Sequence, residues 1–91
     1  MQVKYTNHFL NKLEDIFAES DYILRYEKGQ FKSGYCILKD TNVAIVNKYF
    51  TIEGKINCLI EILQSINPNP EPFSDKNKKL LLEIKQTDLK V

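Results

Sequence analysis

The chain has 91 residues, 43% hydrophobic and 27% charged, which bounds it to one domain with one modest core and excludes a disordered polymer. Thirteen Lys and Arg against twelve Asp and Glu leave a net charge near +1, so the electrostatic footprint of a dedicated nucleic-acid or acidic-membrane binder is missing. No stretch approaches the ~18 apolar residues of a membrane span, the first seven residues lack the apolar run of a signal peptide, and Cys36 and Cys58 are too few for a disulfide framework. These features lead us to expect a cytoplasmic protein with reduced thiols.

In chain order, Phe9, Leu10, Leu13, Ile16 and Phe17 sit one, three or four apart, a single helical stripe over 8–19 with Thr6 or Asn7 as its cap. Residues 22–27 (YILRYE) have strand composition and end at Lys28-Gly29, which suits a two-residue turn. Residues 30–39 and 43–49 read as two further strands around a three-residue turn at Asp40, Thr41 and Asn42. Such short connections predict a three-stranded antiparallel meander. A second helix begins at Thr51 as cap and buries Ile52, Ile56, Leu59, Ile60, Leu63 and Ile66, with Ile62 on the flank. Residues 67–73 carry Pro68, Pro70 and Pro72 and predict a stiff, extended connector. Ser74-Asp75 then opens a C-terminal helix over 74–88, although Leu80, Leu82 and Ile84 also alternate as a strand would. The expected class is α+β, in the order α-β-β-β-α-α, as one domain spanning 1–91.

The turn lengths also predict register. Glu27 would pair Gln30, Arg25 Lys32, Tyr22 Tyr35, Ile37 Ile45 and Cys36 Val46, with Gly34 facing Lys48. Since side chains alternate across a strand, one face would carry Tyr22, Leu24, Tyr26, Phe31, Tyr35, Ile37, Val43, Ile45 and Tyr49 and be covered by the helices. The other would carry Ile23, Arg25, Glu27, Lys32, Gly34, Cys36, Leu38, Ala44, Val46 and Lys48. This second face is apolar at one end and basic at the other. A slip of one residue in the second turn would scramble the assignment.

Several motifs reduce to simpler readings. Gly29-x4-Gly34 has P-loop spacing, but Tyr35-Cys36 stands where Lys-Ser/Thr is required and a strand follows where a helix should; a turn and a bulge are the plainer roles. Lys28-Gly29-Gln30-Phe31 has the basic-Gly-aromatic opening of RNA-binding sheets without their further aromatics. His8 with Cys36 or Cys58 makes at most a nucleophile–base pair, and buried inert cysteine is the commoner state. No ligand cluster has metal-site spacing. Glu14, Asp15 and Glu19 belong to the wet side of a helix, and Lys76, Lys78 and Lys79 to a solvated helix start. Arg25, Lys32 and Lys48 converge around Gly34 in the predicted register, where a missing side chain would open the backbone to a carboxylate or phosphate. Against this stands the plain role of solubilising charges partly neutralised by Glu27.

The stretch RYEKGQFKSGYCILKD, followed by VAIVNKYF and an amphipathic helix, resembles a family of short bacterial proteins of uncharacterised function, over roughly residues 20–66. The resemblance implies a cytoplasmic bacterial protein and brings no activity, cofactor or site with it.

The expected function is therefore a non-catalytic protein-interaction or self-association module, needing no cofactor or metal. It would use Ile23, Cys36, Leu38 and Val46 on the second sheet face and Leu81 of the C-terminal segment, in a homodimer or with a protein partner. Leu80, Leu81 and Leu82 fan over more than half of a helix, more than one buried stripe can hide. The alternative is a small anionic ligand or single-stranded nucleic acid held by Arg25, Lys32, Gly34 and Lys48.

Overall fold

The computed structural model describes residues 2–29 and 34–87. Three helices, α1 (Asn7–Glu19), α2 (Ile52–Ser65) and α3 (Asp75–Lys85), accompany three strands, β1 (Ile23–Glu27), β2 (Tyr35–Leu38) and β3 (Val43–Asn47), in the order α-β-β-β-α-α. Each helix starts on a side-chain cap of the kind that satisfies an orphan backbone N–H. Thr6 accepts from the Phe9 N–H, Thr51 from Gly54 and Ser74 from Asn77. Residues 75–85 form a helix, which removes the strand alternative. Residue 88, the expected last residue of that helix, lies outside the described residues.

The sheet is mixed and its strand order is β1-β3-β2, in place of the expected antiparallel meander. β1 runs parallel to β3, with Ile23 opposite Val43 and Glu27 opposite Asn47. β2 runs antiparallel to β3, with Leu38 opposite Val43 and Tyr35 opposite Val46. β1 and β2 are not neighbours in the sheet, so they form no hairpin across Lys28-Gly29; Glu27 pairs Asn47, and Gln30 lies outside the described residues. The physical reason is partner choice. A central strand gives up both edges to hydrogen bonding and sits deepest, so β1, carrying Arg25 and Glu27, suits an edge, and of the two uncharged strands VAIVN takes the middle. Seven residues, 28–34, separate β1 from β2, enough chain to bridge two strand spacings of ~4.8 Å each.

The β2–β3 hairpin exists, but its loop has four residues, 39–42, closed by Thr41 N–H to Leu38 O and Asn42 N–H to Lys39 O, with Asn42 at φ 54°. Lys39 joins the loop instead of pairing. The register therefore shifts by one: Ile37 faces Ala44, Cys36 faces Ile45, and the Asn47 N–H bonds Gly34 O at 2.9 Å. That single residue turns β3 over. Ala44 and Val46 are fully buried against the helices, whereas Val43 and Ile45 join Ile23, Arg25, Cys36 and Leu38 on the other face. Tyr49, expected on the covered face, is 68% exposed. Phe31 and Lys32, with their predicted pairings, lie outside the described residues.

All three helices lie on one side of the sheet: α1 packs on β1, α2 on β3, and α3 on α1 and α2. The α1 stripe Phe9, Leu10, Leu13, Ile16 and Phe17 is buried in full, as its spacing predicts. α2 buries Ile56, Cys58, Leu59, Ile60, Ile62 and Leu63, a wider arc than one stripe because it has α1, α3 and β3 around it, while Ile52 is exposed. The proline-containing link turns back on itself, with Phe73 N–H bonded to Pro70 O and the Phe73 ring buried. α3 consequently docks on its own domain and is not held at a distance. Leu80 and Leu81 pack partly buried against the core, Ile84 is fully buried, and Leu82 alone of the three leucines is exposed, at 60%.

The start of α3 is tied to the end of α1 through polar groups. Asn77, buried, donates to Asp15 and to Glu19 at 2.7 Å, and Glu19 also accepts from the Ser74 N–H at 3.0 Å and the Ser74 hydroxyl. The Ser74 backbone bond, followed by the Asn77 amide, holds the Glu19 carboxyl below its ordinary value of 4.5. A depressed folded-state pKa contributes stability that is complete above the unfolded value and lost as pH falls through the folded one. Acid titration should therefore weaken the α1–α3 junction below about pH 4.5, and Glu19→Gln should flatten that part of the stability–pH profile measured by urea unfolding. Asn77→Ala should cost about 1–3 kcal/mol at neutral pH through loss of buried hydrogen bonds.

Candidate functional site

The helices leave the other sheet face without any described element over it. That face carries Ile23, Arg25 and Glu27 from β1, Val43, Ile45 and Asn47 from β3, and Cys36 and Leu38 from β2. Ile23 is 59% and Leu38 45% exposed; Val43, Ile45 and Cys36 are half-buried by their strand neighbours. Of the five residues expected to form the interaction surface, three lie together and two lie elsewhere. Ile23, Cys36 and Leu38 lie together on the open face. Val46 is buried under α2 and cannot contribute to it, because of the one-residue register shift. Leu81 is half-buried in the helical layer, where it lines a small apolar slot of about 180 Å³ with Phe73 and Leu82, flanked by Lys78 and Lys85. The C-terminal helix and the open sheet face thus do not cover each other within the chain.

The basic cluster is more dispersed than its predicted register. Arg25 lies on the open face with its Nε 2.9 Å from Glu27 Oε2, two residues along the same strand face. Such an exposed pair is worth ~0–1 kcal/mol, yet it leaves the guanidinium already serving a carboxylate. Lys48, past the end of β3, stands 5.3 Å above the Tyr49 ring, and its N–H bonds Glu27 O. Arg25 is level with Ile45, so Lys48 is three residues, ~10 Å, farther along β3. Lys32 lies outside the described residues.

Gly34 is not open to a ligand. It is buried at φ +86°, and the position a Cβ would take overlaps the Phe50 ring and comes 3.1 Å from Cys58 Sγ. The same ring lies against Gly54 at the start of α2. Phe50 is thus wedged between two glycines that each lack the atom it would strike, a role sequence reading missed because the ring is remote from Gly34 in sequence. Asn47 was missed as well: its side chain accepts from the Tyr49 N–H and donates to Gly29 O, fastening the end of β3 where Arg25, Gly34 and Lys48 were expected to meet.

The nucleophile–base idea gains no geometric support. Cys58 is buried on α2, and burial, with the Glu61 charge adding to it, pushes its thiol up to about 11, so it stays protonated near neutrality. Cys36 lies on the opposite side of the sheet, and His8 is exposed on α1, lining a different cleft with Lys4, Lys12 and Glu83. Among the described residues no group of His, Cys, Asp and Glu is placed to hold a metal ion, and no helix is long and apolar enough to cross a membrane.

A scan against protein-family models, a search of curated proteins and a search of solved structures each return no match.

Gly34→Ala should destabilise the fold by about 2–4 kcal/mol, combining positive-φ strain with overpacking against Phe50. Chemical denaturation checks this, and pairing the change with Phe50→Leu should recover part of the loss. If Gly34 instead marked an open ligand-binding backbone, the alanine variant would keep wild-type stability.

Proposed function

We propose that this chain is a small non-catalytic interaction module whose open sheet face packs against the same face of a second copy. The observation that carries the reading is the one-sided placement of α1, α2 and α3, which leaves Ile23, Leu38, Val43 and Ile45 without a cover among the described residues. A sheet needs its apolar faces buried. A second copy is the occupant the face suits best. Its only described ion pair, Arg25–Glu27, is closed within the strand, so the surface calls for no complementary charge, and two apolar sheets stack at ~10 Å in an aligned or orthogonal packing.

Area sets the strength. Three strands of four or five residues cover roughly 14 by 16 Å, well below the ~800 Å² per partner of a standard interface. The dimer is therefore a weak one. A cytoplasmic bacterial setting remains part of the proposal. The rival reading, an anionic ligand or single-stranded nucleic acid on Arg25, Lys32, Gly34 and Lys48, has less behind it, because Arg25 is already paired and Phe50 fills the space beside Gly34.

Sedimentation equilibrium between about 10 µM and 1 mM, the range in which weak dimers form and dissociate, tests the reading. The wild type should pass from monomer to dimer with little dependence on salt, and Ile23→Lys with Leu38→Lys should hold the chain monomeric without loss of helix content. A monomer throughout the range would end the self-association reading. Association that collapses steeply with added salt would favour the charge-based rival.

A further inference from the structure

Because β3 sits in the middle, β1 is an edge strand, and it runs beside a helix. Its inner side is defined by Ile23 N–H donating to Asn42 O at 2.8 Å and Lys48 N–H donating to Glu27 O at 3.1 Å. In a parallel ladder alternate residues of a strand serve the neighbour, so Ile23, Arg25 and Glu27 bond β3. The N–H and C=O groups of Leu24 and Tyr26 turn outward, where no described strand pairs with them.

Directly along that edge lies a cleft of about 510 Å³ between α1 and β1, lined by Glu14, Phe17, Ala18, Tyr22, Leu24 and Tyr26 among others. Its two ends differ chemically. Phe17, Tyr22 and Leu24 make one end apolar. At the other, the Tyr26 hydroxyl donates to Glu14 Oε2 at 2.5 Å, and burial, then this bond, raises the Tyr26 pKa, so the phenol keeps its proton. Lys55 stands 5.1 Å over the Tyr26 ring, yet among the described residues Glu14 enters no ion pair. Among the described residues Glu14 is also the one charged group in the cleft lining.

We infer that this edge captures an extended peptide as a fourth strand, with an aliphatic side chain against Phe17, Tyr22 and Leu24 and a Lys or Arg two residues away against Glu14. Strand addition supplies the affinity through main-chain bonds, and alternate side chains supply the selectivity. The outward groups of Leu24 and Tyr26 offer two donors and two acceptors, which anchor a strand of about five residues. A two-residue period between the aliphatic and basic positions follows from both facing the α1 side of the pleat. The inference goes beyond sheet-face association, since apart from Ile23 the cleft and the open face present different residues.

Selection of linear nine-residue peptides from a displayed library against the full chain, followed by NMR titration of the enriched peptide, tests it. The expected result is enrichment of an aliphatic and a basic residue two positions apart, with the Leu24 and Tyr26 amides becoming protected from exchange on binding. Ala18→Arg, at an exposed position on the cleft wall, should weaken binding at least tenfold with the remaining spectrum unchanged. Glu14→Gln should abolish the basic preference and keep the aliphatic one. Leu38→Lys, a change on the open sheet face and outside the cleft lining, should leave the selection for the motif in place. Failure to enrich any peptide, an acidic motif, or protection along β2 instead of β1 would overturn the inference. So would a dimer of the chain that Ala18→Arg dissolves, because a second copy would then own the edge.

Discussion

The structure depends on one strand having neighbours on both sides. β3 pairs with β1 in parallel and with β2 in antiparallel sense, and Ala44 and Val46 have no exposed surface. With β3 central, the parity of five residues decides the rest. Even-numbered positions face α2 and the core; odd-numbered positions make the middle of the open face. The parallel pairing also brings Glu27, Gly34 and Asn47 to the same end of the sheet, where the chain passes from β3 into α2. Phe50 lies in that passage and fills the space left by Gly34 and Gly54. One ring therefore packs the start of β2 and the start of α2 together, and neither glycine can carry a side chain without moving it.

The helical layer is joined by a different means. α3 shares Ile84 and parts of Leu80 and Leu81 with the core, a modest apolar contribution for eleven residues, and it is fastened at both ends by polar groups. At its start are the Glu19, Ser74 and Asn77 bonds. At its end Gln64 donates to the carbonyls of Ile84 and Thr87, and Lys85 donates to Ile66 O. Helix ends expose unpaired backbone groups that need partners, and here the partners come from the neighbouring helices. That docking fixes the rotation of α3, which is why Leu82 and not Leu81 is the leucine left in solvent.

What was legible in the sequence was local. Stripe spacing identified α1 and most of the buried arc of α2, Thr51 and Ser74 marked two helix starts at their true positions, and Thr6 was one of two candidates for the third. Strand composition located β1, β2 and β3. Pairing was not legible from the turns, because Lys28-Gly29 has hairpin chemistry whether or not a hairpin forms, and the competition that matters is among strands distant in sequence. The charges of 23–27, beside the uncharged 35–38 and 43–47, were the available signal that β1 lies at an edge. Register failed by one residue at Lys39, since either a three- or a four-residue loop satisfies Asp40, Thr41 and Asn42, and that error moved Val46 from the open face to the core. Gly34 was misread for a related reason: an absent side chain makes room, but the sequence does not say for what. Partial neutralisation by Glu27 was the plainer alternative weighed for Arg25, Lys32 and Lys48 together, and the structure pairs Glu27 with Arg25.

The open face and the β1 edge are separate in composition but not in geometry, because Ile23 belongs to both: it is on the open face and it lines the cleft. A strand added at β1 would extend the sheet from three strands to four, widening the open face from roughly 14 to 19 Å at the usual spacing. The apolar area available for sheet-on-sheet packing would rise with it. Occupation of the edge and association through the face are then coupled by shared surface, and such coupling is reciprocal: whatever factor the peptide adds to dimer affinity, the dimer adds to peptide affinity. If both proposals hold, a face that supports only a weak dimer alone would associate more tightly when a strand is present at the edge.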